Sequence, residues 1–205
     1  MQNVKLIASD MDQTLLTSEG TLPPHFDRYL RRLNQAGIEF VAASGRPLYT
    51  LQETFPHFTK QISLVCDNGG LVASHGQIIG KSLIPAAAYR EIVAFICDKT
   101  DGVPVLCALD AAYINAADGQ YAPALLPFYH QLKKVPDLMA ASLEVDKVTI
   151  YFPNADSRAN AERYFRPAFG QNYTVQVSGE TWLDIQNLGV NKGGGMRILI
   201  RHFDI

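Results

Sequence analysis

Val4-Lys5-Leu6-Ile7-Ala8-Ser9-Asp10-Met11-Asp12 begins as a short, nearly continuous apolar run and closes on two carboxylates at alternate positions. A run of this length, without the alternation of a half-solvated strand, reads as a strand covered on both faces in a parallel sheet. Past Pro23 and Pro24, the residues Phe26, Tyr29, Leu30 and Leu33 recur at the i, i+3, i+4, i+7 spacing of a helix that Gly37 can end. The unit then repeats. Ile38 to Ala43 is a second apolar run ending in Ser44-Gly45-Arg46-Pro47, and Leu48, Leu51 and Phe55 mark a second helix. Ile62 to Cys66 is a third run, ending in Asp67-Asn68-Gly69-Gly70. Strand, helix, strand, helix, strand is the opening of an α/β domain with a Rossmann-like, doubly wound parallel sheet. Right-handed crossovers make the three strands point one way, so Asp10, Ser44 and Asn68 share the carboxyl-end rim where ligands bind in such sheets.

From Leu71 the pattern changes. Leu71 to Ser74 and Gln77 to Lys81 flank His75-Gly76 and read as a β-hairpin. Tyr89, Ile92, Val93 and Ile96 mark a helix, and Ala161, Tyr164 and Phe165 another. Val105 to Leu109, Lys147 to Phe152, Tyr173 to Val177 and Trp182 to Ile185 read as strands, while the Pro- and Ala-rich stretch from Ala122 to Ala141 carries no clear period. This is α+β material, expected as an inserted domain at 83–180 between the two parts of the first domain, 1–82 and 181–205. A last helix starts near Asn191, with Lys192 in its first turn and Met196, Ile198, Leu199 and Ile200 aimed at the sheet.

Composition excludes several classes. The 205 residues balance 18 Lys and Arg against 20 Asp and Glu, which leaves no basic surplus for a nucleic-acid backbone or an anionic membrane. With 47% hydrophobic and 19% charged residues the chain should fold rather than stay disordered. Cys66, Cys97 and Cys107 form no CxxC pair and no disulfide framework, and the N-terminal apolar stretch is too short for a signal peptide, so a reducing, cytoplasmic setting is expected. His25, His57, His75, His130 and His202 lack metal-ligand spacing, and neither GxxxxGK nor GxGxxG occurs.

Asp10 and Asp12 sit where a strand opens into a loop, a spacing that can aim both carboxylates at one cavity. One can attack an electrophile or hold a hard cation while the other moves protons; as an isolated pair they also fit a polar strand terminus. Ser44 and Gly45 combine a hydroxyl with a backbone open to close approach by an anion, and equally form an ordinary helix cap. Lys192 stands in a first helical turn, where the helix dipole disfavours a cation, so a nearby anion would account for it; the alternative is a solvated surface lysine.

The segments DMDQTLL, VAASGRP and LDIQNLGVNKGGGMRIL resemble, in that order, the first three motifs of the haloacid dehalogenase superfamily, and the subfamily looks Cof-type. The resemblance spans essentially the whole chain, with the insertion in the place of that family's cap. It implies a phosphatase of small, sugar-phosphate-like metabolites in which Asp10 is the nucleophile that becomes an aspartyl-phosphate and Asp12 the general acid, then base. Ser44, Gly45 and Lys192 would hold the phosphoryl group. Magnesium would bridge Asp10, the main-chain carbonyl of Asp12 and the phosphate, and cap residues such as Tyr113, Tyr121 and Tyr129 would set the substrate. Two departures stand out: Gln13 replaces the usual glycine after DxD, and the family's fourth, GDxxND-like motif is absent before Ile205. By the resemblance this absence implies a truncated chain, weakened magnesium binding and an uncovered edge on the first strand through which an otherwise monomeric protein could associate. Two other functions stay open at this level: a non-catalytic phosphate-ester binding or regulatory protein, and a signalling phosphoacceptor using Asp67.

Overall fold

The computed structural model describes residues 4–205, in two units: Met1–Lys81 with Asn191–Ile205, and Ser82–Val190. Among the described residues, the first holds a five-stranded sheet in the order β1 (Leu6–Asp10), β2 (Glu39–Ala43), β3 (Ser63–Cys66), β4 (Leu71–Ser74), β5 (Gln77–Lys81). β1, β2 and β3 run parallel, and Asp10 lies opposite Ala43, which in turn lies opposite Val65. The three strand ends are therefore level with one another. β4 and β5 are the antiparallel hairpin expected from the sequence.

Crossover helices α1 (Phe26–Gln35) and α2 (Leu48–Thr54) join the parallel strands. The periodic residues Phe26, Leu30 and Leu51 are buried, and Phe26 meets Phe40 of β2 and Phe58 edge-on, with ring centroids at 5.5 and 5.4 Å. Each such side chain contributes about 1.5–3 kcal/mol by leaving water. Helix α7 (Lys192–His202) packs Leu199, Met196 and Ile198 on Val41, Val65 and Val72. Its approach requires Gly195, because a Cβ there would stand 2.5 Å from Val65 Cγ1.

β1 corrects the reading of its apolar run as covered on both faces, since Val4 and Ile7 are 52% and 39% exposed. It pairs with β2 alone among the described residues, the uncovered edge that the resemblance implied. Its continuous apolar run marks a strand suited to cover on both sides; its rank in the sheet is not encoded in that run.

The second unit is a six-stranded sheet in the order β10 (Tyr173–Val177), β11 (Trp182–Asn187), β9 (Val145–Tyr151), β6 (Val103–Ala108), β7 (Ala112–Asn115), β8 (Leu132–Val135). All neighbours are antiparallel except β7 and β8. Helix α3 (Ala86–Lys99) buries Tyr89, Ile92, Val93 and Ile96 on this sheet together with Phe165 and Phe169 from the helical segment 157–169, which begins with α5 (Ser157–Asn160) and ends with α6 (Arg166–Phe169). A separate cluster gathers Val105, Cys107, Ile114, Tyr129 and Leu125, the last from α4 (Ala122–Leu125). Because β11 pairs with β9 and β10, residues 181–190 belong to this second unit and the chain returns to the first at Asn191, ten residues later than the sequence pattern places it. No described helix is long and apolar enough to cross a membrane.

Candidate active site

The rim of the first unit is built from three strand exits and one helix start. At the first exit, Asp10 leads into the turn Met11–Leu15, where Asp12 has extended backbone and Gln13 sits at φ 58°, in the left-handed region. That φ explains the family's preference for glycine here; a side chain costs about 1–2 kcal/mol in that conformation. Met11 turns inward and is fully buried, while the Asp10 and Asp12 side chains flank it at 44% and 58% exposure. The alternation seen in the sequence thus places both carboxylates outward around one buried anchor.

At the second exit Ser44 is buried: its N–H donates to the Val65 carbonyl at 2.8 Å, and its Oγ accepts the Arg46 N–H at 3.1 Å. This leaves the hydroxyl proton free for donation. At the third exit Asp67, Asn68 and Gly69 all have positive φ, 46°, 56° and 104°. The Asn68 N–H donates to the Ser44 carbonyl at 2.9 Å and the Asp67 N–H to the Arg46 carbonyl at 3.0 Å, so the second and third exits are laced together. Gly45 faces the Asn68 carboxamide, at 3.1 Å from Oδ1 for a Cβ placed there. Gly69 combines its left-handed backbone with close approach to the Asn191 carbonyl, which a Cβ would strike.

Asn191 caps α7, its Oδ1 accepting the Gly194 N–H at 2.8 Å. Lys192 follows at once and its Nζ donates to Asp10 Oδ1. A carboxylate therefore does face this first-turn lysine. The structure brings Asp10 and Lys192 into direct contact and places Ser44 one residue beyond Ala43, the register partner of Asp10.

Sequence reasoning passed over Arg46. Its Nη2 donates to Asp12 Oδ1 at 2.7 Å, and its side chain is 20% exposed, with Nε buried and unpartnered. A buried unsatisfied donor costs about 1–3 kcal/mol. A half-exposed ion pair returns about 0–1 kcal/mol. The arrangement is not a source of stability. The available signal was a cation beside Ser44-Gly45 at a strand exit, which capping chemistry alone accounted for.

The tyrosines of the second unit divide. Tyr129 is buried, its OH donating to Thr149 Oγ1 at 3.2 Å, and burial pushes its phenol well above the usual range. Tyr113 donates to Asp110 Oδ2 at 2.7 Å, and Lys133 donates to the same oxygen. Burial and then Asp110 raise the Tyr113 phenol. Both are internal contacts of the unit, and Tyr121 meets Tyr151 edge-on at 6.0 Å.

A sheet whose three parallel strands end on a rim with a DxD pair, a buried serine and a helix-start lysine, interrupted by an α+β insertion, has the architecture of the haloacid dehalogenase-like fold. The chain belongs to the haloacid dehalogenase-like hydrolases, whose family model matches residues 7–205. It is 26% identical over 204 residues to the 5-amino-6-(5-phospho-D-ribitylamino)uracil phosphatase YbjI of Escherichia coli K12, covering 96% of this chain and 73% of that protein. The HMP-PP phosphatase of Escherichia fergusonii is 23% identical over 205 residues, covering 98% and 74%. The crystal structure of SMU.1108c from Streptococcus mutans UA159 superposes with a TM-score of 0.86 at 28% identity, covering 98% of this chain and 77% of that one. The chain is accordingly a phosphatase of the haloacid dehalogenase type.

Proposed function

We propose that the reaction is phosphate-monoester hydrolysis in two in-line transfers through Asp10. The observation that carries this reading is the Asp10–Lys192 contact at the rim, with Asp12 two residues away and Ser44 at the next strand exit. Phosphoryl transfer asks the protein for positioning and charge neutralisation rather than elaborate bond-making. Lys192, the Ser44 hydroxyl and the Gly45 backbone would surround the equatorial oxygens. Asp10 attacks phosphorus as the ester P–O bond breaks, and the leaving oxygen takes a proton from Asp12. Water then attacks the aspartyl-phosphate, giving its proton to Asp12, while the bond from phosphorus to the Asp10 oxygen breaks and phosphate leaves.

Magnesium suits the donors at the β1 exit, which are hard oxygens: the half-exposed Asp10 carboxylate and the main-chain carbonyl of Asp12. No group of three or more His, Cys, Asp or Glu side chains is gathered for a metal among the described residues. The ion would accordingly lean on phosphate and water, as Mg²⁺ commonly does. When bound it supplies neutralisation of phosphoryl charge. Asp67 is 3% exposed and laced to Arg46, which argues against it as the phosphoacceptor. The substrate class proposed is small phosphate esters, including sugar-phosphate-like metabolites.

The test is turnover of an aryl phosphate with Mg²⁺ by the intact chain and by Asp10→Asn. Loss of turnover by at least about 10³-fold in the variant is expected for removal of the nucleophile. Turnover that persists in Asp10→Asn removes the covalent route.

A further inference from the structure

Each rim carboxylate has its own cation from a different element. Lys192 of α7 takes Asp10, and Arg46 of the β2–α2 loop takes Asp12. Arg46 is the sole hydrogen-bonding partner of the Asp12 side chain among the described residues, and Asp12 is the more exposed carboxylate, on a turn with broken helical geometry. The arginine itself is pinned: its N–H is held by Ser44 Oγ at 3.1 Å and its carbonyl by the Asp67 N–H at 3.0 Å. Its guanidinium leaves Nε buried and unpartnered while Nη2 reaches Asp12 Oδ1. A fold that forgoes one buried hydrogen bond to make a half-exposed one gains position rather than stability.

We infer that Arg46 is the positioning residue of Asp12: it fixes Oδ1, so that the proton delivered to the leaving oxygen travels on Oδ2, and it does not itself hold the phosphoryl group. This rests on the phosphatase reading above. The contact joins residues 34 positions apart, so the proton-transfer carboxylate is oriented by the same loop that presents Ser44 to phosphate. As the ester bond breaks, the Asp12 Oδ2–H proton passes to the departing oxygen and the Arg46 bond to Oδ1 persists. Arg46 would therefore matter in proportion to how much the leaving group needs that proton.

The experiment compares wild type, Arg46→Ala, Arg46→Lys and Lys192→Ala in the intact chain, with p-nitrophenyl phosphate, whose leaving group needs little protonation, and with glycerol phosphate, whose leaving group needs it. Arg46→Ala should lower kcat on glycerol phosphate by about 10²-fold, the scale of general acid catalysis, and on the aryl ester by about tenfold less. KM should stay within about twofold on both, and Arg46→Lys or added guanidinium should restore part of the loss. Equal losses on the two esters, or a rise in KM, overturn the inference.

Two readouts do not depend on turnover. Calorimetry with inorganic phosphate should show affinity unchanged in Arg46→Ala and weakened in Lys192→Ala; equal weakening would make Arg46 a phosphate ligand and overturn the inference. A crystal structure of Arg46→Ala should show the Asp12 carboxylate displaced, and an unmoved carboxylate overturns the positioning role alone. A wild-type chain that neither binds phosphate nor turns over either ester overturns the phosphatase reading first, and the inference with it.

Discussion

Gly195→Ala tests whether the close docking of α7 serves the site more than the fold. The new Cβ would stand 2.5 Å from Val65 Cγ1, 3.2 Å from Val65 Cγ2 and 3.4 Å from the Gly69 Cα, all buried atoms. Val65 lies in β3, parallel-paired to β2, and has no room to retreat, so α7 must move outward. Overpacking of this kind costs about 1–3 kcal/mol. Replacing a helix-interior glycine by alanine returns about 0.8–1 kcal/mol. The expected net loss of stability is therefore only about 0–2 kcal/mol, from the difference of those two effects. Function should respond differently. Lys192 stands three residues before Gly195, one turn earlier on the same helix face, so a displaced helix carries its Nζ off Asp10. A misplacement of about 1 Å costs about 10²-fold in rate. Urea denaturation and steady-state turnover of an aryl phosphate, measured on the same preparations, separate the two. A variant that gains the full helix-propensity increment and keeps wild-type kcat would refute the reasoning, since the backbone would then have closed around the methyl group without cost.

Gln13→Gly should raise the unfolding free energy by roughly 0.5–1 kcal/mol, because the strain of a side chain at φ 58° exceeds the extra chain entropy of glycine; a lowered urea midpoint at unchanged slope would contradict it. Tyr129 has a folded-state phenol raised by burial, so the stability linked to its neutral form is complete below the unfolded value of about 10 and is lost as pH rises toward the folded value. Tyr129→Phe should cost about 1 kcal/mol at neutral pH for the bond to Thr149 and flatten the fall in stability above about pH 10; urea titrations at pH 7 and pH 11 measure both.

Local pattern was enough for the elements whose burial repeats along the chain. The helix at Phe26–Gln35, the hairpin Leu71–Ser74 with Gln77–Lys81, and the strand Tyr173–Val177 carry their own period and turn residues. β8 did not: Leu132-Lys133-Lys134-Val135 has no alternation, and it is a strand because β7 offers it parallel pairing partners. β7, Ala112–Asn115, was missed as well.

The placement of candidate catalytic residues at strand exits was legible because right-handed crossovers level the ends of parallel strands whatever the detailed packing. Chain order alone therefore put Asp10, Ser44 and Asn68 on one rim. Which cation serves which carboxylate was not legible. Lys192 and Arg46 both carry one positive charge, and their pairing with Asp10 and Asp12 spans 182 and 34 residues. The same holds for β1, whose apolar run names it a strand while its neighbours decide that Ile7 meets solvent. Periodicity is a property of consecutive residues, whereas charge pairing and strand rank depend on which distant backbone arrives alongside, and that is settled only when the crossovers and α7 have packed.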